Sequence, residues 1–220
     1  MNKKGIVLGV IAIAIIAGVV SSLSASDETV NLDMTRIHGS VSTAMGSPIL
    51  GDPSAPITIV EFGDYQCHQC KNWFDNTKDP IMNEYIETGK ANLIFVDMAF
   101  LGRDSPVAAQ ASYCAEEQEQ YWEYHNELYT TQGSQIDGWA DKETLKTIAV
   151  NLDLNMELFE GCLDSNKYQK RVQYNTSESK SFGVRGTPTF LIVSSDGQEQ
   201  KLVGAQPFSV FKQVLDAMAK

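Results

Sequence analysis

Ile57-Thr58-Ile59-Val60-Glu61-Phe62-Gly63-Asp64-Tyr65-Gln66-Cys67-His68-Gln69-Cys70-Lys71-Asn72-Trp73-Phe74 decides how this chain folds. Residues 57–62 form an apolar run, interrupted by Glu61, that reads as a buried strand. Lys71 to Phe74 read as helix, so the Cys-x-x-Cys sits at a strand-to-helix junction. There the unpaired backbone N–H groups and the helix dipole favour an anion. The Cys67 thiol is therefore expected to ionise more readily than a free cysteine. Cys70 follows three residues later, close to one helical turn, so the two sulfurs can close into a disulfide and reopen by thiolate attack. Redox chemistry at Cys67 and Cys70 is the leading expectation. A zinc site that includes His68 is weaker: zinc modules usually carry a second ligand pair, and Cys114, Cys162, His38 and His125 make none. A plain structural disulfide is the remaining alternative.

Outward from this stretch, residues 91–98, Ala-Asn-Leu-Ile-Phe-Val-Asp-Met, read as a second buried strand. The segment between, from Trp73 to about Glu87, reads as helix with a break at Asp79-Pro80 and a stop at Gly89. Strand, helix, strand over this length implies a parallel pair with a right-handed crossover. From about 105 to 182 no strand is apparent. Ser105-Pro106 opens a helix with proline in its first turn. Residues 121–129 form an aromatic helix containing His125, which reads as packing rather than catalysis. Asp141 caps a third helix whose apolar face is Leu145, Ile148 and Ala149. Residues 156–163 and 167–182 complete an all-helical insertion. Strands return at Thr189-Phe190-Leu191-Ile192-Val193 and Lys201-Leu202-Val203-Gly204, joined by the turn Ser195-Asp196-Gly197. An amphipathic helix over 206–219 closes the chain, with Phe208, Phe211, Val214, Leu215 and Met218 on one face.

The 220 residues carry 17 Lys and Arg against 28 Asp and Glu, a net charge of −11. That balance argues against nucleic acid as a partner. Lys3 and Lys4 precede an apolar run from Gly5 to Val20 and a stretch of small residues to Ser26. Residues 1–26 therefore read as an export signal or, extended over 5–23, a membrane anchor. Residues 27–48 read as linker and lead-in, and 49–220 as one domain. Export places the cysteines where disulfides persist. With Cys67 and Cys70 paired locally, Cys114 and Cys162 are expected to bond to each other as a structural staple.

The order of these elements resembles the thioredoxin superfamily, and within it the exported DsbA-like thiol–disulfide oxidoreductases. The motifs that carry the resemblance are residues 58–67 and Gly186-Thr187-Pro188-Thr189-Phe190. It implies an α/β thioredoxin fold, a mixed sheet flanked by helices, with the helical insertion before a cis-proline hairpin. It implies that Cys67 is the nucleophile, Cys70 the resolving thiol, Pro188 cis beside them, and the Thr187 backbone the partner of a bound peptide. Glu61 matches the family's acidic residue beneath the site, which moves a proton to or from Cys70; the competing reading is an edge-strand surface residue. His68 stands where the strong oxidants of the family carry proline, and Gln69 where they carry histidine. His68 is thus either a tuner of Cys67 or an exposed helix-start residue. The activity implied is a dithiol oxidase, with a reductase or isomerase using the same site, or a disulfide-braced peptide-binding module, as alternatives. No prosthetic group and no metal is expected, since the redox equivalents reside in the cysteines. The expected partners are reduced exported proteins and a membrane protein that reoxidises a monomeric enzyme outside the cytoplasm.

Overall fold

A computed structural model describes residues 37–134 and 138–219. The expected export signal or anchor lies outside the described residues. Strand β3 (Ile57–Gly63) runs parallel to β4 (Ala91–Asp97) and antiparallel to β5 (Thr189–Ser194), which pairs with β6 (Glu199–Val203). Together they make a four-stranded sheet in the order β4-β3-β5-β6. All seven residues of β3 and all seven of β4 are buried, as expected of strands covered on both faces. Alternation sorts β3 between two cores. Ile57 and Ile59 pack with Trp73, Phe190 and Phe211 on one face, while Val60 and Phe62 pack with Ile94, Val96 and Leu191 on the other. Glu61 shares the parity of Ile57 and Ile59. It therefore points to the face that the cysteine helix covers, and it is a central-strand residue rather than an edge one.

That helix begins as α1 (His68–Trp73) and continues through a π turn (Phe74–Lys78), α2 (Asp79–Ile81) and a second π turn (Met82–Ile86). The break expected at Asp79-Pro80 does not occur, since Lys78 and Asp79 both keep right-handed helical angles. Proline has no N–H and its ring crowds the carbonyl four residues back. Wider turns on either side relieve that crowding, so the chain absorbs Pro80 without ending the helix.

The insertion comprises α3 (Ser105–Glu116), α4 (Tyr121–Thr131), α5 (Lys142–Asn151), α6 (Met156–Asp164) and α7 (Gln169–Ser181). Asp141 caps α5 by accepting from the Thr144 N–H at 2.8 Å, and Asn155 caps α6. A disulfide joins Cys114 on α3 to Cys162 on α6, with Cα atoms 5.8 Å apart and a sequence separation of 48. Helix α8 (Phe208–Met218) lays Phe211 and Leu215 onto the sheet.

Residues 27–48 are more than a linker where they are described. β1 (Ile37–His38) and β2 (Val41–Ser42) form a hairpin, and Val41, Thr43, Ala44 and Ser47 are buried. The Ser47 N–H donates to the Phe95 carbonyl at 2.8 Å, and Leu50 bridges Leu93, so this segment covers the outer edge of β4. A Cβ on Gly46 would lie 3.1 Å from the Phe95 carbonyl oxygen, which explains why small residues make this approach. A buried polar cluster ties the segment to α7. Arg171 donates to the Met45 and Gly46 carbonyls at 2.9 and 2.6 Å, pairs with Glu116 at 2.9 Å and stacks 3.7 Å over Tyr113. Tyr113 and Asn175 both donate to Asp97, whose carboxyl burial pushes up to about 6.

Candidate active site

Asp64 builds the loop that presents Cys67. It is buried, and its side chain accepts from the backbone N–H of Gln66 at 2.9 Å, Phe100 at 2.9 Å and Leu101 at 3.0 Å. Its own carbonyl accepts from the Cys67 N–H at 2.9 Å. Tyr65 locks the loop from below, through contact of its hydroxyl with His125 Nδ1 at 3.0 Å and a hydrogen bond from Gln132 to its carbonyl. Cys67 then takes the N-cap position of α1 with extended backbone angles. Both thiols are free in this structure.

The two sulfurs meet opposite environments. The Cys67 thiol is held down to about 6, first by a hydrogen bond from Cys70, against the cost of burial, then by the N–H groups of Cys70 and Gln69. At pH 7 it is about nine-tenths thiolate. Cys70 is fully buried, and burial, its hydrogen bond to Cys67 and the charges of Cys67 and Glu61 hold its thiol well above the usual range. The Thr187–Pro188 peptide is cis, and in the protonated state the Cys67 thiol donates to the Thr187 carbonyl at 3.2 Å. The Thr187 hydroxyl is buried without a partner. Pro188 is buried, and its carbonyl accepts from Gly204 at 2.8 Å. His68 and Gln69 are both exposed on the outer side of the helix start. His68 lines an open polar cleft of about 550 Å³ together with Lys71, Asp75 and Gln132.

Glu61 lies beneath the cysteines, 1% exposed, with neither carboxyl oxygen hydrogen-bonded. Burial pushes its carboxyl up to about 8, opposed by the charge of Lys78 and reinforced by that of Cys67. Lys78 was not foreseen from sequence. It is only 6% exposed, donates to the Asn126 side chain and lies 4.6 Å over the Phe74 ring. Burial lowers its pKa, against the attraction of Glu61 and Asp79. The signal that could have found it is helical spacing: Cys70, Phe74 and Lys78 recur every four residues on one face. His125 is buried, its ring 4.8 Å from that of Phe95, and burial and Lys78 hold its pKa well below the usual range, so it packs as a neutral ring. Cys114 and Cys162 are bonded to each other in the insertion and share a buried cluster with Cys67 and Cys70. Among the described residues, no group of three or more His, Cys, Asp or Glu side chains gathers to hold a metal ion.

Splitting the proton affinities of two neighbouring thiols this way leaves one ready to attack or depart as an anion and the other stored as a protonated thiol. That division of labour belongs to thiol–disulfide oxidoreductases on a thioredoxin fold. A family model described as thioredoxin matches residues 43–217, and the chain belongs to that family as a DsbA-like protein disulfide oxidoreductase. It is 29% identical over 147 residues to a probable disulfide bond formation protein D of Bacillus anthracis, covering 65% of this chain and 68% of that one. The crystal structure of oxidised BdbD from Bacillus subtilis shares the fold, with a TM-score of 0.74 at 24% identity over 83% of this chain and 97% of that one. The structure of Wolbachia pipientis alpha-DsbA1 aligns with a TM-score of 0.70 at 27% identity, covering 78% and 89%.

Proposed function

We propose that this protein is a dithiol oxidase that introduces disulfides into exported polypeptides through Cys67 and Cys70. The observation that carries this reading is the thiolate character of Cys67, because stabilising the reduced form makes the disulfide a stronger oxidant. In the oxidised protein a substrate thiolate attacks Cys67 Sγ. The Cys67–Cys70 bond breaks, a mixed disulfide forms at Cys67, and Cys70 leaves as a thiolate. Glu61, still protonated at neutral pH, is the buried acid available to protonate it. A second substrate thiolate then attacks the substrate sulfur of the mixed disulfide and expels Cys67. A thiolate of low proton affinity is a good leaving group, so this step is favoured. Two electrons pass from the substrate dithiol to the protein, with one proton on Cys70 and one released.

Thr187 and Pro188 form the wall on which the substrate backbone lies, since the Thr187 carbonyl is within reach of Cys67 Sγ. The apolar N-terminal run supports a site of action outside the cytoplasm. There a membrane protein reoxidises the dithiol, and no prosthetic group takes part. The test is catalysed oxidation of a reduced, unfolded polypeptide by three forms of the protein. Cys67→Ser should abolish turnover, and Cys70→Ser should accumulate a mixed disulfide at Cys67. Unchanged turnover in Cys67→Ser would overturn the proposal.

A further inference from the structure

A second cleft, of about 390 Å³, runs between α3 and α7, lined in part by Ala99, Gln110, Val172, Gln173, Thr176 and Lys180. Val172 is buried and gives it an apolar floor. Gln110 is 4% exposed; its Nε2 donates to the Pro106 carbonyl at 3.3 Å, but its Oε1 has no partner. A buried carbonyl without a donor is costly and rare, which marks a place where a ligand supplies one. Thr176 Oγ1 accepts from the Ala99 N–H at 3.1 Å, and its own proton has no acceptor among the described residues. Thr176 thus offers the cleft a donor, and Gln110, which lines it, holds an unpaired acceptor just beneath its surface. No carboxylate lines it and Lys180 is its one charge, although the whole chain carries −11.

An N–H for Gln110 and a C=O for Thr176 are what any peptide group presents, whatever its side chain. The cleft also shares a loop with the active site. Ala99 is held by Thr176, while the next two residues, Phe100 and Leu101, are tied through Asp64 to the turn that carries Cys67. Phe100 and Leu101 are each 39% exposed, an apolar step between cleft and thiolate. We infer that the α3–α7 cleft holds an extended, backbone-recognised segment of the polypeptide whose cysteine exchanges at Cys67. This rests on the oxidoreductase reading above.

Two variants of the full chain test it. Gln110→Leu removes the acceptor at nearly constant volume, and Ser177→Trp blocks the mouth from an exposed position. Turnover is measured on a reduced, unfolded two-cysteine polypeptide and on dithiothreitol, with glutathione disulfide as terminal oxidant. Binding of a labelled, cysteine-free twelve-residue peptide of Ser, Thr, Asn and Val is measured separately. Each variant should raise KM for the polypeptide about fivefold and weaken the peptide by a similar factor, with dithiothreitol oxidation unchanged. Unchanged polypeptide KM in both variants, or an equal loss on polypeptide and dithiothreitol, would overturn the proposal. A two-residue peptide binding as well as the twelve-residue one would also overturn it, marking a small-amide site. If the unaltered protein oxidises neither substrate, the oxidase reading fails, and peptide binding alone still decides the cleft.

Discussion

Replacing Glu61 with glutamine should stabilise the reduced protein, and by an amount that depends on pH. In the folded chain burial lifts the Glu61 carboxyl from its ordinary value of 4.5 to about 8. The folded state therefore holds its proton more tightly than the unfolded chain does. The sign is opposite to that of a salt-bridged carboxylate. Stability is full below the unfolded value, falls as pH rises from 4.5 toward 8, and is flat above. Integrating between about pH 4.5 and about pH 7.5 gives a loss of about 4 kcal/mol from this one group. Glu61→Gln keeps the shape and the unpaired polar atoms but removes the ionisation. Urea unfolding of the reduced protein and of the variant, at both pH values, isolates the effect, because every other titrating group is common to the two. The gap in stability between variant and parent should widen by about 4 kcal/mol from the lower pH to the higher. A gap that does not change with pH would refute the placement of Glu61 as a buried, unpaired acid.

Titrating the thiolate absorbance of the reduced protein should show a midpoint near 6, and Cys70→Ala should move it up by a unit or more, because the Cys70 hydrogen bond is the largest stabilising contribution. An unmoved midpoint would contradict that assignment. Lys78→Met should raise the Glu61 midpoint above 8, read from the carboxyl band in infrared spectra, since the lysine charge is what opposes burial there; an unchanged or lower midpoint would place Lys78 outside the site. Converting both Cys114 and Cys162 to alanine should cost about 4 kcal/mol in the chain-entropy treatment of a 48-residue loop, while leaving the Cys67 titration in place. A coupled loss of the Cys67 thiolate would show that the staple shapes the site.

The strand before Cys67 and the helix after it were legible because apolar runs and a Cys-x-x-Cys junction leave local marks. The parity of β3 carried more than was read from it: Glu61 shares a face with Ile57 and Ile59, which by itself buries it under the cysteine helix. Other features left no such mark. A proline inside a helical stretch usually signals an end, and nothing in the composition from Asn76 to Pro80 announces the π turns that absorb it. Thr43, Ala44, Gly46 and Ser47 are buried although they are small or polar, so this segment shows no hydrophobic period. Lys78 and Arg171 carry no local mark of burial, and only the packing of distant segments, Asn126 in one case and Met45 and Gly46 in the other, reveals them as interior.

Ionisation of Cys67 stabilises the dithiol and so makes the pair more oxidising. At pH 7 a thiol at about 6 rather than 9 favours the dithiol about tenfold, or about 30 mV for two electrons. The most direct test is the equilibrium of Cys67–Cys70 against a glutathione buffer, with Cys114 and Cys162 intact. A dithiol oxidase requires a potential toward the oxidising end, near about −120 mV. A value near about −270 mV would make the protein a reductase and contradict the central claim, as would a pair that never equilibrates.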